Sequence, residues 1–74
     1  MNYANLIEIL NTQLCDNGIK SIYTLIANDV DIDTIEKIIC KNTLEYQKMS
    51  LKEKQDFSRY LKTLILETKL LSIN

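Results

Sequence analysis

A chain with no proline and a single glycine among 74 residues has few ways to turn sharply. That composition lacks the punctuation that hairpins and loop-rich folds require. Leucine and isoleucine dominate the apolar residues and recur at helical intervals. The expected fold is therefore all-α, a small compact array of about four helices at about 3–16, 21–27, 33–41 and 50–71. The whole chain, 1–74, reads as a single helical domain, with no linker, internal repeat or low-complexity run. A domain of this size buries only about 60% of its extended surface, and such proteins often draw on a disulfide, a metal or a second subunit. Charged residues make up 26% of the chain, and the branched apolar content is high enough to build a core.

Each helix has its own signature. Tyr3, Leu6, Ile7, Leu10 and Leu14 follow the spacing of one helical face. Asn17-Gly18 stops that helix, with Gly18 in the left-handed conformation and Ile19 folding back onto Leu14. Ile22, Leu25 and Ile26 share a face behind Ser21, a good N-cap, and Asn28-Asp29 breaks the helix. The third helix starts near Asp31 or Asp33. Either Asp33 and Glu36 form a capping box, or Asp31 caps and Val30 staples onto Ile35. Ile35, Ile38 and Ile39 line its buried face. The stretch 42–49 is a loop or a ragged helical turn, tacked to the core by Leu44, Tyr46 and Met49. Ser50-Leu51-Lys52-Glu53 is a capping box that opens the last helix, whose stripe runs through Phe57, Tyr60, Leu61, Leu64, Leu70 and Leu71. Near its end Leu64, Ile65 and Leu66 are consecutive. Three neighbours in a row span about 200° of helix surface, more than one small core covers, so this end is expected to offer an interaction surface.

Much chemistry is excluded by composition. Without histidine there is no imidazole base, no histidine-activated nucleophile and no histidine metal ligand. Cys15 and Cys40 stand 25 positions apart and cannot build a four-ligand zinc site. They are expected to be small buried hydrophobes. One glycine makes neither a phosphate loop nor a dinucleotide fingerprint. Asp29-x-Asp31-x-Asp33 opens like an EF-hand loop, but Thr34 stands where the loop needs glycine and Cys40 where it needs glutamate. The three aspartates are better read as helix-capping acids. No cofactor, metal or catalytic residue is expected, and the chain is read as a non-enzyme. No apolar run exceeds three residues, far from the roughly 20 of a membrane span. Met1 to Asn5 lack the pattern of a signal peptide. A cytoplasmic location is the expectation.

The net charge of −1 conceals an asymmetry. Residues 1–36 carry one base against six acids, whereas residues 37–74 carry eight bases against four acids. Opposite ends of opposite sign can steer the encounter with a charged partner. The candidate partner-binding residues are Arg59, Lys62, Ile65, Leu66 and Lys69 on the outer face of the last helix. Asp29, Asp31 and Asp33 form a second candidate patch. The same apolar flank offers a homodimer contact through the last helix.

Ile32, Asp33, Thr34, Glu36, Ile39, Lys41 and Asn42 match a motif of the Hha/YmoA family, and the segment 32–42 resembles that family's second helix. Ser50, Glu53 and Phe57 resemble the opening of its long helix, after an insertion of about three residues. The family's Asp-His-Arg cluster and its short last helix have no counterpart here. These small proteins bind a nucleoid protein and modulate its silencing, so the resemblance implies a small helical regulator that works on a transcription or nucleoid protein. The order of a short helix at 21–27, a turn near 28–31 and a helix at 33–41 also resembles the helix-turn-helix of Xre/Cro-type phage regulators. Phosphate contacts need clustered Lys and Arg, however, and this segment sets only Lys37 and Lys41 against Asp29, Asp31, Asp33 and Glu36. The reading that results is a non-enzymatic regulator, phage- or plasmid-borne, acting by protein–protein interaction. An inhibitor or immunity-type protein that blocks an enzyme or defence complex is the alternative, as is direct DNA binding.

Overall fold

The computed structural model describes residues 3–72; Met1 and Asn2, read above with the N-terminus, and residues 73–74 lie outside them. Among the described residues there are five helices and no strand: α1 (Tyr3–Asp16), α2 (Ile22–Ala27), α3 (Ile32–Asn42), α4 (Leu44–Gln47) and α5 (Leu51–Ser72). The fold is all-α, as composition and periodicity require. The additional helix is α4, which occupies part of the ambiguous 42–49 stretch.

The apolar stripe of α1 supplies the centre of the core. Leu6, Ile7, Leu10 and Leu14 are buried against Ile22, Leu25 and Ile26 of α2, Ile35 and Ile39 of α3, and Phe57 and Leu61 of α5. Tyr46 and Met49 close the core from the α4 side, with the Tyr46 ring edge-on to Phe57 at 6.0 Å. Leu44 does not tack that segment down: as the first residue of α4 it points away from the core and is 67% exposed. Tyr3 stacks on Tyr60 at 5.1 Å and so ties the start of α1 to α5.

The polar flank of α1 does a second job. Helix ends leave backbone groups without intrahelical partners, and three amide side chains of the α1 region supply partners for other helices. Asn11 Oδ1 accepts the Ile22 N–H at 2.8 Å, at the start of α2. Asn17 Nδ2 donates to the Asn42 carbonyl at 2.8 Å, at the end of α3. Gln13 Oε1 accepts the Glu45 N–H at 3.3 Å, at the start of α4. α1 and the residue that follows it therefore bury the core face and also bond the ends of three neighbours.

The helix boundaries follow local chemistry. Gly18 has φ of +75°, its N–H bonds the Cys15 carbonyl and the Ile19 N–H bonds the Leu14 carbonyl, the bonding of a Schellman stop. Ile19 packs against the core beside Leu14. The same pair of bonds ends α2, with Asp29 at φ +61° in the glycine position and the Val30 N–H returning to the Leu25 carbonyl. Asp31, not Asp33, caps α3. Its Oδ2 accepts the Thr34 N–H and its Oδ1 accepts the Thr34 hydroxyl, at 3.3 and 2.6 Å. The capping box at Ser50 is formed in both directions, Ser50 Oγ accepting the Glu53 N–H and Glu53 Oε1 accepting the Ser50 N–H.

Two further expectations need correction. Cys15 and Cys40 are free and exposed, because each falls on the solvent side of its helix while the branched residues beside it turn inward. Leu70 and Leu71 do not join the core stripe; they are 64% and 76% exposed. The reason is length. The 22 residues of α5 span about 33 Å at 1.5 Å per residue, nearly the whole 37 Å long dimension of the molecule, whereas α1, the next longest helix, spans about 21 Å. Among the described residues, α1 to α4 leave Leu70 and Leu71 uncovered. No helix among the described residues is long and apolar enough to cross a membrane.

Leu10 is fully buried at the centre of this arrangement, so Leu10→Ala is expected to cost about 2–5 kcal/mol in urea unfolding. Asn11→Ala, which orphans the first N–H of α2, is expected to cost about 1 kcal/mol. Acid should also weaken the fold. The Thr34 hydroxyl and then the Thr34 N–H hold the Asp31 carboxyl below its ordinary value, and the Ser50 N–H does the same for Glu53. Both groups release their proton more readily folded than unfolded. Their stabilising effect is complete above the ordinary carboxylate range and is lost as pH falls through about 4 and below. The melting temperature should drop over that interval. Asp31→Asn combined with Glu53→Gln, which keeps acceptors but removes the titration, should flatten the drop.

Candidate functional site

The α2–α3 turn and the distal half of α5 face each other across an open groove of about 450 Å³. The turn is held there because α2 and α3 both pack on α5, and because the Schellman stop at Asp29 and the cap at Asp31 leave only Val30 between them. Asp29 and Asp31 form one rim, Val30, Ile32 and Ile65 line the interior, and Lys62, Leu66 and Lys69 form the other rim. Val30, Ile32 and Ile65 are half-buried and rest on the core. Leu66 lies on the side of α5 roughly opposite Phe57 and Leu61 and is 63% exposed. Lys62 takes part in no ion pair among the described residues.

Six of the eight candidate partner-binding residues thus meet at one place. The two patches that sequence separates by some thirty positions, Asp29 with Asp31 and Lys62 with Ile65, Leu66 and Lys69, are the two walls of one groove. The other two lie elsewhere. Arg59 projects from α5 with its side chain 82% exposed, at 3.9 Å from Asp56 one turn earlier. Asp33 lines a different hollow with Glu36, Lys37, Cys40, Tyr46 and Lys54. Sequence reasoning missed Val30 and Ile32 as groove residues. The available signal was that they are apolar residues interleaved with aspartates, on a turn where burial of every apolar group is not required.

The second hollow is polar. Glu36 there accepts the Ser58 hydroxyl at 2.7 Å, linking α3 to α5. The Lys54 ammonium lies 5.3 Å from the centre of the Tyr46 ring, a cation–π distance. Burial, and after it the nearby Glu36, pushes the Tyr46 hydroxyl pKa up. Among the described residues, no three Cys, Asp or Glu side chains converge so as to hold a metal ion. Asp31 of the aspartate run has both oxygens engaged by Thr34. What the groove offers is shape, apolar surface and charge of both signs.

Compared with protein-family models, with curated proteins and with solved structures, the chain matches none.

The groove rim carries a conformational cost that can be measured. Asp29 occupies a left-handed position where a side chain is disfavoured relative to glycine. Asp29→Gly is therefore expected to stabilise the fold by about 1 kcal/mol in urea unfolding, while removing one charge from the acidic rim.

Proposed function

We propose that this protein is a non-enzymatic regulator that acts in the cytoplasm by docking other protein surfaces in the groove between the α2–α3 turn and α5. The observation that carries the reading is the assembly of an apolar strip between an acidic rim and a basic rim. Such a surface is suited to a helix that presents an apolar side chain flanked by charges of both signs. The aspartates select the basic flank and the lysines the acidic one, which gives orientation as well as attraction. The resemblance of residues 32–42 to the Hha/YmoA motif makes a transcription or nucleoid protein the favoured class of target.

The charge distribution weighs against the other two readings. A nucleic-acid mimic needs a broad face of one sign. Here Asp29 and Asp31 lie across from Lys62 and Lys69, and Asp33 and Glu36 share their hollow with Lys37 and Lys54. Direct DNA binding needs a concentrated basic face, and the solvent side of α3 carries Asp33 beside Lys37 and Lys41.

Capture from host lysate tests the proposal, with the wild type and Leu66→Asp compared at equal loading. The expected outcome is recovery of a transcription or nucleoid protein by the wild type and its loss with the variant. Recovery of no such protein, or recovery that the variant leaves unchanged, contradicts it. A gel shift on duplex DNA at low salt should show no retardation at micromolar protein.

A further inference from the structure

The docking groove has one property that singles out an occupant. Its two walls are opposite in charge, Asp29 and Asp31 on one side and Lys62 and Lys69 on the other, with Val30, Ile32 and Ile65 between them. A surface that meets its own copy about a two-fold axis must be self-complementary. A patch of a single sign fails that requirement, whereas a patch split into an acidic wall and a basic wall satisfies it. The lysine wall of each copy then faces the acidic wall of the other, and the pairing occurs twice. The basic wall also carries the apolar side chain that such a contact needs. Leu66 stands 63% exposed on the same flank of α5 as Lys62, with Leu70, 64% exposed, one turn further on.

We infer that the isolated protein is a two-fold dimer in which the distal half of α5 of each copy lies in the groove of the other. Leu66 of one copy covers Val30, Ile32 and Ile65 of the second, and Lys62 and Lys69 face its acidic rim. The inference rests on the reading of the groove as a protein-docking surface and names its occupant when no other protein is present. The solvent-facing leucines that α1 to α4 leave uncovered become buried, which supplies the apolar contribution. A regulatory target that uses the same groove has to displace the second copy, so docking of the target depends on protein concentration.

Sedimentation equilibrium of the full chain, from about 10 µM to about 1 mM, tests the inference. The wild type should fit a monomer–dimer equilibrium, and Leu66→Asp, at an exposed position, should keep its helix content and sediment as a monomer. Charge reversal supplies the specific signature. Lys62→Glu with Lys69→Glu makes both walls acidic. Asp29→Lys with Asp31→Ser makes both walls basic or neutral, while Ser keeps an α3 cap. Each of these variants alone should self-associate at least about tenfold more weakly than the wild type, and an equimolar mixture of the two should recover the dimer. Unchanged helix content by circular dichroism confirms that each variant is folded. A wild type that remains monomeric across the range overturns the inference and leaves the capture result above to decide whether the groove docks other proteins. A wild-type dimer insensitive to Leu66→Asp, or reversed-charge variants that fail to pair, places self-association elsewhere and equally overturns it.

Discussion

The burial of α1 is the constraint on which the other helices depend. Its four inward residues, Leu6, Ile7, Leu10 and Leu14, belong to the buried core, its amide side chains reach the starts of α2 and α4, and Asn17, just past its end, reaches the end of α3. A helix of six residues such as α2, or of four such as α4, has little stability of its own. α4 packs on α1 and α2 on α5, and α1 gives each of the two a partner for an orphaned backbone group. The two roles use different sides of the same helix, so the apolar contacts fix where the short helices lie and the amide bonds fix where they begin and end.

The candidate site arises from a mismatch in length. The core takes up α5 through Phe57 and Leu61, with Leu64 and Ile65 packed at its edge, and beyond it Leu66, Leu70 and Leu71 stay exposed. The α2–α3 turn lies alongside this projecting segment because both flanking helices pack on α5. The groove is thus a by-product of five helices of unequal length. Two of its charges also bear on the fold: Asp29 sits at a backbone position where glycine is easier to accommodate, and Asp31 combines a rim charge with the cap of α3. Stability and surface chemistry therefore pull in different directions at residue 29 and together at residue 31.

What could be read from the sequence was local. Gly18 announced its own Schellman stop, Ser50 and Glu53 their capping box, and the 3–4 spacing of α1 its buried face. The equivalent stop at Asp29 gave a weaker signal, because aspartate occupies the left-handed position less often than glycine. Helical phase placed Leu71 on the core side, but phase does not say where neighbouring helices end. For the same reason the charged residues on both walls of the groove could be named from sequence, while their meeting in one place, and the share that Val30 and Ile32 take in it, could not. The amide caps from Asn11, Gln13 and Asn17 join positions 11, 32 and 25 residues apart, and the walls of the groove are about as distant. Relations of that range depend on packing geometry and leave no local pattern. Cys15 and Cys40 show the converse error, in which a residue type's usual burial was overridden by its place on the helix.

Native-state hydrogen exchange at low protein concentration tests most directly whether α1 organises the fold. The amides of Leu10 and Leu14 should exchange only through global unfolding, with Phe57 and Leu61 close behind. Those of residues 66–71 should exchange through local fraying at far lower free energy. Early exchange across α1, with the slowest amides in the distal turns of α5, would contradict this account.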